Sequence, residues 1–474
     1  MISTWSDFFP SGTLSNRRLD ALAIRLGTAV EKGGRGSWRG YFPVPAMRKA
    51  AYRFVEHSQL ALPTLLAGAF EHGAKVVRDH ADDTLLNIQD TTSLDFTSLT
   101  KARGLGPLES SKARGLMLHL GLLVTERDVP LGLSVVQVFA RDPEVTNKAA
   151  SRRARAFEDK ESARWWTTTV AAEERVAKPG KLLHISDRES FIYEYLARAS
   201  SASYRVLVRA KGAHGVDDEH HQLLAALRPT WTDADVRVVQ VPARPARDGR
   251  PARGARTATV RVRYGCFVLK EPHGGRRRLR LWGVSVVEEV ALGLTVVDPL
   301  DWLLVTNDPI ADRASAHQAV DRYLVRWTIE EFNKGLKSGA QVESLQLESR
   351  EAIERALALL LLATLRILQM MKGSRDAPET SAEAVADLTE EADYLHQQAK
   401  ARRGRVPVPA VPTIAWVVME IAKLGGHSGS RAEGPPGWLV LWRGWRRLQD
   451  EMRGYRLAME AMKRSDSSAE RIRG

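Results

Sequence analysis

The chain has 474 residues, 44% of them hydrophobic, with 70 basic and 57 acidic side chains for a net charge of +13. That apolar share excludes a disordered chain, and the positive balance points to a polyanionic partner, nucleic acid first and an anionic membrane surface second. A single cysteine, Cys266, excludes a disulfide framework and a cysteine-rich zinc site.

The opening residues lack a basic stretch followed by an apolar run. With the lone cysteine, this reads as a cytoplasmic chain without a signal peptide. The most apolar window, 356–365, is about half the roughly twenty residues a membrane span needs, so it is expected as a buried helix.

Residues 1–72 read as small helices. Asn16 is placed to cap the first, which carries Leu19, Leu22, Ile24 and Leu26. A glycine–arginine loop over 32–40 follows, Pro45 opens a second helix, and a third runs from about Ala61 to Glu71. Arg17, Arg35, Arg39, Arg48, Lys49 and Arg53 make this a basic helical unit suited to duplex DNA. Phosphate contacts from such residues give affinity rather than sequence choice.

The period then changes. Thr84–Ile88 reads as a buried strand that delivers Asp90 just past its end, and 116–124 and 131–139 read as the next two strands, joined by a polar hairpin. A charged helix over about 160–176 leads to a short strand, 181–185, ending at Asp187. A helix over 190–199 and a strand over 204–208 follow, with Arg209 and Lys211 just beyond. Strands interrupted by helices indicate a mixed α/β sheet.

Residues 213–300 read as an inserted β-rich subdomain with basic edges, with strands at 257–264, 276–282 and 284–290. The arginine–proline–glycine run near 244–256 is read as a surface loop or DNA tether. The strand 302–306, opened by Trp302, returns the chain to the core. A helix over 323–337, an apolar helix over 352–371, a polar linker over 373–380 and a helical tail complete it.

The 323–337 segment is the most informative. At ~100° per residue, Tyr323, Arg326, Glu330 and Lys337 fall within roughly 60° of one another, opposite Val325, Ile329, Phe332 and Leu336. One carboxylate between cations suits chemistry on a phosphate backbone. The plain alternative is an ordinary solvated face. Asp90 and Asp187 likewise have local alternatives, as a turn opener and a helix cap. Together with Glu330, they form an all-oxygen set that suits Mg²⁺ or Mn²⁺. His184, among strand residues, is expected in the core.

The order Asp90, Asp187, Glu330, with Tyr323-x₂-Arg326-x₃-Glu330-x₆-Lys337, resembles the bacterial DDE transposases of the insertion-sequence-four type. The likeness extends to 51–54, 422–426 and 441–445. It implies a ribonuclease-H-like catalytic domain over 73–372, a transposon-end-binding domain over 1–72 and a helical dimerisation domain over 373–474. It further implies two divalent ions held by Asp90, Asp187 and Glu330, and phosphate contacts from Tyr323, Arg326 and Lys337. Trp302 would stack on a flipped base, and Arg209 and Lys211 would grip the backbone near the cut. The partners implied are double-stranded DNA and a second copy of the chain. A structure-specific nuclease on the same fold and a non-catalytic inhibitor of transposition are the competing readings.

Overall fold

The computed structural model describes residues 2–33, 37–109, 112–142, 155–217, 224–241, 243, 246, 251–272, 275–290, 295–382, 388–401 and 408–473, with the side chains of 431, 460 and 462–473 left aside. Arg35 and much of the 244–256 run lie outside the described residues.

One mixed sheet organises the molecule. Its strands are β1 (Leu85–Asp95), β2 (Gly106–Pro107), β3 (Arg114–Val124), β4 (Pro130–Phe139), β5 (Leu182–Ser186), β6 (Arg205–Arg209), β7 (Thr232–Val241), β8 (Arg256–Lys270), β9 (Arg278–Glu288) and β10 (Asp301–Thr306). β3 pairs antiparallel with β1 on one side and with β2 and β4 on the other, while β1, β5 and β6 run parallel. The apolar runs of β3 and β5 are buried throughout except at Arg114, as expected of strands covered on both faces. Three antiparallel strands followed by two parallel ones are consistent with a ribonuclease-H-like core.

The sheet continues antiparallel through β10, β9, β8 and β7. The β-rich stretch expected over 213–300 therefore extends the central sheet. The two short strands expected on either side of Gly283 are one, β9. Gly283 keeps its place because it pairs with Gly265 of β8 and both lie under the Trp231 indole; a Cβ at Gly283 would come within 2.1 Å of that ring. β7 was not expected from the sequence. As an edge strand carrying Asp233, Asp235 and Arg237, it lacks a strong apolar alternation.

Two further expectations are corrected. Asp90 does not follow β1 but sits within it, because the β1–β3 ladder runs on to Asp95 and Gly115. The 323–337 segment is not one helix. A helix over Arg313–Leu324 ends, Val325 and Arg326 turn, a second helix covers Trp327–Lys334, and a wider π turn spans Gly335–Gly339.

The expected apolar helix is longer than its sequence pattern, Arg350–Asp376, and takes in the start of the supposed polar linker. It is long and apolar enough to cross a membrane, but its apolar stretch is 94% buried inside the fold. Helices from both chain ends pack on it. Asn16 caps Arg17–Lys32 as expected, and Pro45 opens Pro45–Val55. Glu31 anchors the arrangement: it accepts from Trp5 Nε1 at 2.6 Å and Arg366 Nε at 2.8 Å through its carboxylate, and from Trp445 Nε1 at 2.9 Å through its carbonyl. A charge pair this buried needs such full satisfaction to be tolerated. His184 is fully buried and held by Asn87 and Glu173 at 2.9 Å each, a core residue as expected.

Candidate active site

Strand register sets the first two acids. β1 and β5 pair in parallel up to Ile88 and Ile185. Two residues beyond that pair, each chain reaches an aspartate: Asp90 on β1, Asp187 just past β5. Equal offsets along neighbouring parallel strands put the two at the same level of the sheet. Asp187 also caps the turn that follows, its Oδ1 accepting from Glu189 N at 2.9 Å. The cap alternative is thus true of Asp187 and leaves Oδ2 for other work.

The third acid comes from the Trp327–Lys334 helix. The apolar stripe of this segment, Val325, Ile329, Phe332 and Leu336, is buried as expected and presses the helix on the core. Asn333, three residues after Glu330, donates Nδ2 to Asp90 Oδ2 at 2.8 Å. That bond ties the helix to β1. Glu330 itself is 47% exposed at its side chain and pairs with Arg326 at 2.7 Å.

Electrostatics links the three acids. Burial pushes the Asp90 carboxyl up to about 7; Arg326 opposes this, while Asp187 and Glu330 reinforce it. The negative fields of both partners therefore reach Asp90. For Arg326, burial works against its charge, but Tyr323, Glu330 and Asp90 outweigh it and raise its pKa. A buried carboxyl that resists ionisation beside two other acids is a place short of positive charge, and oxygen donors suit a hard divalent ion there. Even so, among the described residues no three His, Cys, Asp or Glu side chains gather closely enough to hold one ion. Arg326 offsets part of that deficit.

The predicted contact residues divide into two groups. Tyr323 and Arg326, expected on a presented face, are buried at 2% and 8% exposure. This departs from the sequence reading: the Tyr323 ring packs edge-on against Trp302, and the Arg326 guanidinium lies against the Tyr323 and Trp327 rings. Arg326 Nε has no hydrogen-bond partner among the described residues, and burial raises the Tyr323 hydroxyl pKa against the opposing charge and hydrogen bond of Arg326. Trp302 is 4% exposed; its ring meets Tyr323 edge-on at 5.5 Å, and the Arg209 guanidinium lies 5.9 Å from it. In this arrangement Trp302 offers no open face to a base. Arg209 donates to the Asp301 carbonyl at 3.0 Å, and burial lowers its pKa.

The second group faces outward. Lys211, Arg17, Arg39, Lys49 and Arg53 are exposed. Arg48 is turned onto the carbonyls of Phe42 and Pro43 at 2.9 and 2.6 Å. Lys337 lies in the π turn, 3.9 Å from Glu343.

Sequence reasoning missed three residues. Asn333 is one; its signal was the three-residue step from Glu330, which shares a helix face. Arg164 donates Nε to Thr91 Oγ1 at 2.9 Å and Nη2 to Glu189 Oε2 at 2.8 Å, so it spans the segments that carry Asp90 and Asp187. Glu189 is the third. Nothing in the sequence joins Arg164 to either acid.

Among solved structures, a piggyBac transposase synaptic complex with hairpin DNA aligns over 85% of this chain and 85% of its own at 10% identity, with a TM-score of 0.35, a likeness too distant to bear on the site. Residues 187–366 match the family described as the transposase DDE domain. The match opens on Asp187 and takes in Glu330, Asn333 and the Arg326 pair. The half of the site that runs from Asp187 to the Trp327–Lys334 helix is thus similar to a transposase DDE domain.

Proposed function

We propose that this chain is a DNA transposase of the insertion-sequence-four type, close in its motif wording to the transposon-five transposase. It would act by cut and paste: 3′ nicking, hairpin formation and resolution, then strand transfer into target DNA. The observation that carries the reading is the equal placement of Asp90 and Asp187 on neighbouring strands, with the Glu330 helix bonded to Asp90 through Asn333.

Asp90, Asp187 and Glu330 would hold two Mg²⁺ ions, with Mn²⁺ as substitute. Bound there, such ions supply an activated oxygen nucleophile and stabilise the leaving oxygen. The chain's own residues do the rest. Arg326 is poised to release Glu330 and fork onto a phosphate, and Lys337 adds a point charge. Tyr323, whose hydroxyl lies beside Arg326, would be a second donor toward the same backbone. Arg17, Arg35, Arg39, Arg48, Lys49, Arg53, Arg209 and Lys211 would grip the duplex. Residues 373–474 would pair two copies across two transposon ends, in the nucleoid-associated cytoplasm.

The burial of Trp302 favours a second reading, a structure-specific nuclease without strand transfer, since hairpin formation needs a stacking surface for an extruded base. Labelled end DNA, Mg²⁺ and a target plasmid separate the two. A transposase joins the label to the plasmid; a nuclease nicks without joining. Asp187→Ala should abolish both while leaving end binding nearly intact, and full cleavage by that variant would remove Asp187 from the site.

A further inference from the structure

We infer that Asn333 is a positioning residue for the divalent-ion site, holding Asp90 in the orientation in which it takes a cation; this rests on the reading of Asp90 as a metal ligand. Three observations carry it. Asn333 makes the hydrogen bond that joins the helix of the third acid to the first acid, across 243 residues of chain, at 2.8 Å. It is 8% exposed, on a helix whose neighbours Ile329 and Phe332 are fully buried, so the amide has little freedom to turn away. Its Oδ1 is buried with no hydrogen-bond partner among the described residues.

An amide buried with half its capacity unmet is costly to keep. The half that is met goes to Asp90. Asn333 donates to Oδ2, and the Thr91 backbone N–H also bonds that carboxylate, so the group is held from its own strand and from the helix. The amide also fixes the distance between the β1 carboxylate and the face of the helix that bears Glu330. Groups that orient a ligating side chain typically change metal affinity about 10–100-fold when lost.

The test uses the full chain, free of DNA, with Mn²⁺ alone as probe and its binding followed by electron paramagnetic resonance. Asn333→Leu keeps the branched shape and removes the donor. Its Mn²⁺ affinity is expected to fall roughly tenfold or more, with the metal-free melting temperature little changed and end-DNA retardation intact. Asn333→Ala, which cannot overpack the site, is the second variant and is expected to fall in the same range. An affinity within about twofold of the parent in either folded variant overturns the inference. Asp90→Asn is the control that separates the two readings. If Asp90→Asn binds Mn²⁺ like the parent, the acid site itself is wrong. If Asp90→Asn loses Mn²⁺ while the Asn333 variants keep it, only the role given to Asn333 fails.

Discussion

Arg326 holds Glu330 at 2.7 Å across one turn of chain, so the third acid meets a guanidinium rather than another carboxylate. Glu330 is 47% exposed at its side chain and Arg326 only 10%. The buried guanidinium gives up Glu330 only where another anion takes it. The guanidinium and a divalent ion then compete for one carboxylate. Arg326→Ala should therefore enlarge the stabilisation that saturating Mg²⁺ gives, by about 1 kcal/mol, while weakening end-DNA binding. Melting curves with and without Mg²⁺ check this, and an unchanged increment would mean that the ion does not use Glu330.

Arg164 and Glu189 should act as one unit. The arginine reaches Thr91 beside Asp90, and Glu189 lies two residues from Asp187, so either loss loosens the same spacing. Arg164→Lys and Glu189→Gln should each slow strand cleavage about tenfold, and the double variant should be no slower than the worse single. Additive rates in that cycle would separate the two residues.

Lys372 secures the signature helix from below. Its Nζ lies 2.5 Å from Asp128 of the β3–β4 hairpin and 2.5 Å from Glu331, and Thr328 also donates to Asp128. Breaking a fully buried pair costs about 3–5 kcal/mol. The two acids here are each more than a third exposed, so a smaller loss applies. Lys372→Met should cost about 1–3 kcal/mol in urea unfolding, and adding Asp128→Asn and Glu331→Gln should recover most of it. No recovery would argue against the charge explanation.

Trp302 should behave first as a core residue. Trp302→Ala is expected to lose about 3–5 kcal/mol of stability. Trp302→Phe, which keeps an aromatic ring against Tyr323, separates packing from chemistry. If the indole stacks on a base during hairpin formation, the phenylalanine variant slows that step more than first-strand nicking. Equal slowing of both leaves Trp302 a packing residue only.

His119 should make the fold sensitive to acid. It is fully buried between Thr91 and the Trp165 ring, and burial holds its pKa well below the ordinary value. The folded state keeps the ring neutral while the unfolded chain protonates it near pH 6.5. Its contribution is thus complete above about pH 6.5 and falls by ~1.4 kcal/mol for each pH unit below that, until the folded ring also takes a proton. His119→Gln should remove this slope. Urea unfolding at neutral and mildly acidic pH checks it, and parallel slopes for parent and variant would place the acid sensitivity elsewhere.

The sequence by itself determined the elements and the chemical types. Alternation and apolar runs marked β3, β4, β5, β6 and β10, Asn16 and Pro45 announced their helices, and the spacing around Glu330 singled out the signature residues. These are short-range properties, set by which face of a strand or helix must leave water. Tertiary structure alone decided the rest. The lateral pairing of β1 with β5 put Asp90 level with Asp187, although 97 positions separate them. Packing against the Trp302 and Trp327 rings buried Tyr323 and Arg326, which their spacing alone would have shown to solvent. Asn333 and Arg164 acquired their roles from contacts with Asp90 and with Thr91 and Glu189, and no pattern in the intervening chain encodes such a meeting. Periodicity records what a residue's own element requires, whereas a partner across the sheet is fixed only when the whole core packs.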